Sequence, residues 1–341
     1  MARGLVAMSG GVDSSVAAAL LRRQGHEVVG VTLKLWGGPS DRGCCSVADV
    51  DDARAVARRL GVDHHVFTYT DDFDRLVVEP YVADHAAGRT PNPCVECNRH
   101  LKFDRLLARA EALGFDRVAT GHHARLVGPP GRRRVARGAD RAKDQSYVLH
   151  PLSAAARERT LLPVGELTKS EVRALAGELG LRTADKAESQ DTCFVLASGG
   201  RRAFLGDRIP LHPGRVVDRD GRVLGRVEDV ELVTVGQRRG LGLPGGADPR
   251  YAVAVDPAAG TVTVGSAADL LVDRVEVPDL VWATVPVAGP VTVQCSAHGT
   301  PRPAVVDGTT VRFTSPERRV APGQSVVVYE ADEVAAGGTA A

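Results

Sequence analysis

Apolar positions in the first 120 residues switch between two periods. Gly4 to Met8, Val28 to Trp36, Val62 to Thr68 and Arg117 to Thr120 are short apolar runs of strand length. Between them, Ser14 to Gln24, Val47 to Leu60, Asp72 to about Ala87 and His100 to Leu113 have helical composition. Gly25, Gly61 and Gly114 stand where three of those helices stop. Strands alternating with helices predict a parallel, doubly wound α/β sheet. A hairpin is expected over Ala124 to Gly138, around a Pro-Pro-Gly turn. A helix is expected from Thr168 to Leu179, opened by a capping box of Thr168 and Glu171.

Beyond Phe194 the pattern becomes that of small β domains. Arg215 to Gly225 pivots on Asp220-Gly221, and Tyr251 to Gly265 pivots on Ala259-Gly260, both with alternating Val and polar positions. Short strands with Pro and Gly between them recur from Val275 to Tyr329. The resulting division is an α/β domain over 1–200, a central β domain over 201–270 and a C-terminal β domain over 271–341. Ala335 to Ala341 reads as a loose tail.

Composition is that of an ordinary globular chain, which excludes wholesale disorder. The balance of 43 Lys and Arg against 42 Asp and Glu excludes indiscriminate coating of nucleic acid. The charge is uneven, however. Arg99 to Asp144 holds twelve Lys and Arg against five Asp and Glu, including Arg132-Arg133-Arg134 on the expected hairpin. Such a patch suits phosphate contact, or is simply a solvated charged face. The start has no apolar stretch long enough for a signal peptide, and no run approaches the ~20 apolar residues of a membrane span. A cytoplasmic protein without membrane attachment is expected, with its six cysteines reduced or reactive.

Ser9-Gly10-Gly11-Val12-Asp13-Ser14 falls between the first strand and the first helix. Backbone N–H groups of a Gly-rich turn and a helix N-terminus converge at such a place and make an anion site. The alternative is a plain turn with a Ser or Asp cap. No Lys follows the glycines, so this is not the loop of γ-phosphate transferases, and its glycines do not match the G-x-G-x-x-G turn of dinucleotide binders either. SGGVDS after a strand resembles the pyrophosphate (PP) loop of the ATP pyrophosphatases, which cleave ATP between its α and β phosphates.

Cys94 and Cys97 lie in Pro91-Asn92-Pro93-Cys94-Val95-Glu96-Cys97-Asn98, read as a loop before the helix at His100. Cys193 lies in Asp191-Thr192-Cys193-Phe194. Three readings stand: a structural zinc site needing Cys193 and a histidine, inert core thiols, or reactive sulfur near a helix N-terminus. Cys44, Cys45 and Cys295 read as structurally inert.

SGGVDS, AGRTPNPCVECN, ATGHHAR, KDQSYVL, PVGELTKSEVR, SQDTCF, VGQRRGLG and PGQSVVVY follow one another from residue 4 to about residue 330. In this order they resemble the bacterial tRNA-specific 2-thiouridylase family. The resemblance implies a Rossmann-like domain of the adenine nucleotide alpha hydrolase type, followed by two β domains of which the last is a barrel. It implies ATP-dependent replacement of the C2 oxygen of a wobble uridine by sulfur. Ala7, Met8, Ser9, Gly10, Gly11, Val12, Asp13 and Ser14 would then hold the ATP phosphates, Leu33 would border adenine, and Gly121 would line the pocket. Cys97 would be the nucleophile and Cys193 the persulfide bearer, the two forming a disulfide after sulfur delivery. Asn92, Pro93 and Cys94 would border the target base, while His122, Lys143, Asp144, Gln145 and Gln324 would face the tRNA. ATP with Mg²⁺, steered near Asp13, is the implied cofactor set. The implied partners are the anticodon loop of tRNA and a persulfide sulfur carrier or cysteine desulfurase, with the enzyme a monomer.

Two departures qualify the resemblance. Many relatives carry Asp at the position of Cys94, so Cys94, Cys97 and Cys193 could instead hold a 4Fe–4S cluster. Relatives also usually place an Arg where this chain has Ser296 or Ala297. The competing functions are a small-molecule ATP pyrophosphatase, such as an amide synthetase or a tRNA lysidine synthetase, and a non-catalytic nucleotide-binding RNA module.

Overall fold

In a computed structural model the described residues are 2–36, 46–187, 192–244 and 248–341. They fall into two compact units. The first comprises Met1–Val77, Cys94–Ser198 and Asp332–Val334, and the second Val78–Pro93, Gly199–Ala331 and Ala335–Ala341. Cys44, Cys45 and Ser189-Gln190-Asp191 of the SQDTCF motif lie outside the described residues.

The first unit is the expected parallel sheet. Strands β1 (Arg3–Ala7), β2 (Glu27–Lys34), β3 (Asp63–Thr68), β4 (Arg117–Ala119) and β7 (Thr160–Leu161) run in the order β3-β2-β1-β4-β7. All four pairings are parallel. Strand β7 is only two residues long, too short to register as a period in the sequence. Its pairing with β4 leaves β1 and β4 central, so the loops after β1 and β4 open side by side. Helix α1 (Val12–Arg23) follows β1, and α2 (Val47–Leu60) follows β2. Val6, Met8, Val12, Val16, Ala17, Val56, Val164 and Val172 form the shared core. A capping box of Ser46 and Asp49 starts α2, and Gly61 in the left-handed region closes it. Thr168 and Glu171 make the expected capping box for the helix Lys169–Glu178. The hairpin of β5 (Ala124–Val127) and β6 (Arg134–Arg137) also forms, and Ala136 pairs with Glu333.

One expectation is corrected here. Cys94 and Cys97 are not in a loop. Pro93–Glu96 is already α-helical, Cys97–Arg105 continues as π-helix, and Leu106–Ala112 returns to α-helix without a break. The physical reason is Pro93, whose fixed φ suits the first turn of a helix and needs no N–H there.

In the second unit, β8 (Gly214–Val217), β9 (Val223–Val227), β10 (Tyr251–Asp256) and β11 (Thr261–Gly265) pair in the order β10-β11-β8-β9. Both expected hairpins are antiparallel, with Gly221 and Gly260 at positive φ in their turns. Their core is Val216, Val227, Val230, Val233, Leu241, Ala252, Val262 and Val264. A further sheet orders β12 (Leu271–Glu276), β16 (Thr310–Arg318), β15 (Arg302–Asp307), β14 (Val291–Gln294), β17 (Ser325–Glu330) and β18 (Glu333–Thr339), with the two-residue β13 (Val281–Trp282) pairing β18. The expected loose tail is therefore a strand: Ala335 and Ala336 are fully buried. Small residues make this possible, since a Cβ on Gly338 would sit 2.6 Å from Val277 Cγ1.

Candidate nucleotide and thiol site

The turn after β1 brings the SGGVDS residues to the N-terminus of α1. Gly11 is the N-cap residue, and no side chain caps the helix. The first-turn amides are thus not satisfied by a Ser or Asp cap, which favours the anion-site reading over the plain turn. Ser14 Oγ accepts from Ser9 N at 3.2 Å and donates to Gly11 O at 3.2 Å, which ties the turn closed. Gly10 adopts φ +73°, and a Cβ there would lie 2.3 Å from Asp49 O. Gly121, at the end of β4, is packed just as closely: a Cβ would lie 2.5 Å from Ser14 N. Gly121 therefore lies against the loop itself. Met8 is buried and accepts from Thr32 Oγ1 at 2.7 Å, and Leu33 is buried on β2.

Asp13 is the electrostatic centre of the loop. Lys169 Nζ reaches its two carboxylate oxygens at 2.8 and 2.7 Å, and His123 Nε2 lies 3.1 Å from Oδ1. Burial pushes the carboxyl up, but the hydrogen bonds from His123 and Lys169 outweigh it and hold it below the usual range. Lys186 Nζ donates to Gly10 O at 3.0 Å and to Asp49 and Asp52 at 2.7 and 2.6 Å. Neither lysine was singled out by sequence reasoning. The available signal was scarcity: two of only five lysines in an Arg-rich chain meet at one loop. His122 is buried, bonds Thr120 Oγ1 at 2.7 Å, and is held well below its ordinary value, chiefly by burial.

Cys94 is exposed and Cys97 half-buried on the first turns of their helix. Asn98, the next residue, is buried and donates to Val148 O at 3.3 Å. Cys193 is half-buried and opens the short helix Cys193–Ala197. Phe194 anchors that helix in an aromatic cluster, with ring centroids 5.5 Å from Phe73 and 6.0 Å from Trp36. Cys295 behaves as the inert thiol expected, its pKa pushed up to about 12 by burial.

The residues expected to face tRNA divide into two kinds. Asp144 is turned inward: it accepts from Arg137 Nη1 at 2.9 Å, Gly138 N at 3.0 Å and Ser146 Oγ at 2.8 Å. Gln145 Oε1 accepts from His123 N at 2.9 Å, so it braces the histidine that meets Asp13. Lys143 is half-buried on the same turn. In the second unit, Gln324 Nε2 donates to Thr90 O, and Thr90 N donates to Pro322 O at 2.7 Å. The segment leading to Asn92 and Pro93 is thereby joined to Gln324.

The basic segment is less bare than its charge count suggests. At least seven of its twelve cations, Arg99, Arg105, Arg125, Arg133, Arg134, Arg137 and Arg141, are ion-paired among the described residues. Six of those acids lie outside the segment, so much of the local excess is balanced by the fold. Arg132, at the hairpin tip, is exposed.

Among the described residues no group of three or more His, Cys, Asp or Glu could hold a metal ion. Cys94, Cys97 and Cys193 are not gathered as cluster ligands, and Asp13 has both oxygens engaged by Lys169.

A parallel sheet with an uncapped Gly-rich turn after its central strand, followed by two β parts, defines an α/β nucleotide-loop type of fold with appended β domains. The family models agree: a tRNA methyl transferase HUP domain matches residues 2–197, a tRNA methyl transferase PRC-barrel domain 202–266, and an aminomethyltransferase beta-barrel domain 279–340. The chain belongs to the tRNA-specific 2-thiouridylase family. It is 48% identical to the tRNA-specific 2-thiouridylase MnmA of Chloroflexus aurantiacus, over 99% of this chain and 98% of that protein. The MnmA proteins of Carboxydothermus hydrogenoformans and Mycolicibacterium gilvum are 45% and 47% identical, over 98% and 97% of this chain and 96% and 95% of theirs. A 4-thiouridine synthetase solved with RNA and ATP aligns at a TM-score of 0.39 and 20% identity, over 58% of this chain and 46% of that one. No helix among the described residues is long and apolar enough to cross a membrane.

Proposed function

We propose that the protein is a tRNA-uridine 2-sulfurtransferase that uses ATP to replace the C2 oxygen of a wobble uridine in the anticodon loop by sulfur. The observation that carries this reading is the uncapped helix N-terminus at Gly11 within a chain related end to end to 2-thiouridylases. The division into a catalytic part over 1–200, a central β part over 201–270 and a barrel over 271–341 belongs to the same reading. So do a cytoplasmic location and a monomeric enzyme.

An amide-like carbonyl resists sulfur attack because its oxygen leaves poorly. Residues Ala7 to Ser14 would cradle the ATP phosphates, with adenine beside Leu33 and the turn packed on Gly121. The uridine O2 attacks the α-phosphorus, the bond to the bridging oxygen breaks, and pyrophosphate departs with that electron pair. The terminal sulfur of a persulfide on Cys193, supplied by a sulfur carrier or cysteine desulfurase, then attacks C2. The C2–O bond breaks and AMP leaves. The Cys97 thiolate attacks Cys193 Sγ, and the S–S electron pair passes to the base sulfur, giving the thiocarbonyl and a Cys97–Cys193 disulfide. Asn92, Pro93 and Cys94 would border the extruded base, whose unpaired position in a loop lowers the cost of extrusion. Lys143, His122 and Gln324 would line the tRNA side, with Asp144 and Gln145 acting by holding the backbone there. No step runs through an iron–sulfur cluster, and Mg²⁺ enters only as the counter-ion of ATP itself.

The test is pyrophosphate release measured with and without tRNA. Release that requires a tRNA with a wobble uridine supports the reading. Release that is indifferent to tRNA, with a small amide acceptor in its place, would identify a small-molecule ATP pyrophosphatase instead.

A further inference from the structure

Lys186 occupies a position that no part of the proposed chemistry uses. Its ammonium makes three bonds inside the first unit: to Gly10 O at 3.0 Å, Asp49 Oδ1 at 2.7 Å and Asp52 Oδ2 at 2.6 Å. The other Asp49 oxygen, Oδ2, accepts from Ser46 N and Oγ in the capping box, so one carboxylate joins the start of α2 to the phosphate loop. Asp52 is also paired with Arg182 Nε at 2.9 Å. Arg173, on the helix Lys169–Glu178, donates to Ala184 O at 2.6 Å and to Lys186 O at 3.1 Å, which fixes the backbone from which Lys186 extends. Burial would lower the ammonium's pKa, but the hydrogen bonds it donates to Asp49 and Asp52 outweigh that and raise it above its ordinary value.

The carbonyl contact matters most. A trans peptide is planar, with its C=O and the next N–H pointing in opposite directions. Gly10 sits at φ +73°, a conformation open to glycine from which the peptide could rotate if nothing held it. A cation on Gly10 O selects one orientation of the Gly10–Gly11 peptide and turns the Gly11 N–H away from Lys186.

We propose that Lys186 is a positioning residue for ATP: its bond to Gly10 O holds the Gly10–Gly11 peptide so that the Gly11 N–H faces the phosphates. The inference rests on the reading of this loop as an ATP site, and concerns how that site is kept formed. It separates the two lysines. Lys169 neutralises the carboxylate within the loop, whereas Lys186 orients the loop's backbone.

The test is calorimetric titration of the full chain with ATP, alongside tRNA binding and thermal melting, for wild type, Lys186→Met, Lys186→Arg and Asp52→Asn. Lys186→Met should weaken ATP binding by about tenfold or more, the scale of a lost charge-assisted hydrogen bond. Its tRNA affinity should stay unchanged, and Lys186→Arg should recover most of the loss. Asp52→Asn loosens the same ion-pair knot while leaving the carbonyl bond, so it should lower the melting temperature without a comparable loss of ATP affinity. ATP affinity of Lys186→Met equal to wild type, or equal losses in Lys186→Met and Asp52→Asn that track their destabilisation, would overturn the proposal. Wild-type protein that binds no ATP would overturn the ATP reading itself, which is a different result from a silent Lys186→Met.

Discussion

Lys169 holds Asp13 by both carboxylate oxygens, at 2.7 and 2.8 Å. Asp13 lies in the first turn of α1, where its charge alone would repel an incoming phosphate. The ammonium, with His123 beside it, offsets that charge and joins the start of α1 to two distant side chains.

Replacing Lys169 by Met should strand a half-buried carboxylate. The expected loss is about 1–3 kcal/mol of stability by urea unfolding, together with weaker ATP binding. The pH dependence has a defined sign. The Asp13 carboxyl is depressed in the folded protein, so its stabilisation is present above the ordinary value of 3.8 and is lost as pH falls through the lower folded value. In Lys169→Met that acid-side loss should shrink; an unchanged acid limb would mean that Lys169 is not what depresses Asp13.

Gly121→Ala should damage the nucleotide site through backbone displacement. The added Cβ meets Ser14 N at 2.5 Å and Asp13 C at 2.6 Å, and backbone atoms cannot swing aside as a side chain does. A cost of about 1–3 kcal/mol is expected, with ATP binding reduced more than tRNA binding. Parallel calorimetry of the two ligands checks it.

His85 should remain neutral through the physiological range. Burial first, and the charge of Arg201 second, hold its pKa at about 4, and its ring packs 4.6 Å from that of Tyr81. Because the folded value lies below the ordinary 6.5, stability contributed by neutral His85 is lost as pH falls from 6.5 towards about 4. An NMR titration of its ring protons should be flat down to about pH 5; a midpoint near 6.5 would contradict the burial.

Ala336→Asp tests the terminal strand. Ala336 is 1% exposed, within a core of Val275, Val277, Val293, Val326 and Val328. A buried carboxylate there should cost at least about 3 kcal/mol, measured as a lost or much earlier unfolding transition. A true loose tail would tolerate it without change.

What the sequence made legible were features with a local cause. The alternating periods announced the parallel sheet, Thr168 with Glu171 announced a helix start, and Asp220-Gly221 and Ala259-Gly260 announced hairpins. The misreadings came where a distant partner decides. Ala335 to Ala341 has no apolar alternation to mark a strand, and only neighbours such as Val277 make its small residues a packing surface. Pro93 looked like a loop-former, yet proline at a first turn is also a helix-former. The charge of Arg99 to Asp144 counted as free until Asp72, Glu96, Glu158, Glu166, Asp332 and Glu333 were seen to pair with it. In the candidate site, Ser9 to Ser14 and the three cysteines stood out as motifs, whereas Lys169 and Lys186 acquire meaning only by what they touch across 156 and 176 positions.

The most direct test is mass spectrometry of nucleosides from tRNA incubated with the purified protein, ATP and a persulfide donor. The account predicts 2-thiouridine-type product at the wobble position, dependent on ATP, and abolished by Cys97→Ser and by Cys193→Ser while ATP binding persists. Normal thiolation by a Cys97→Ser, Cys193→Ser double variant would contradict it.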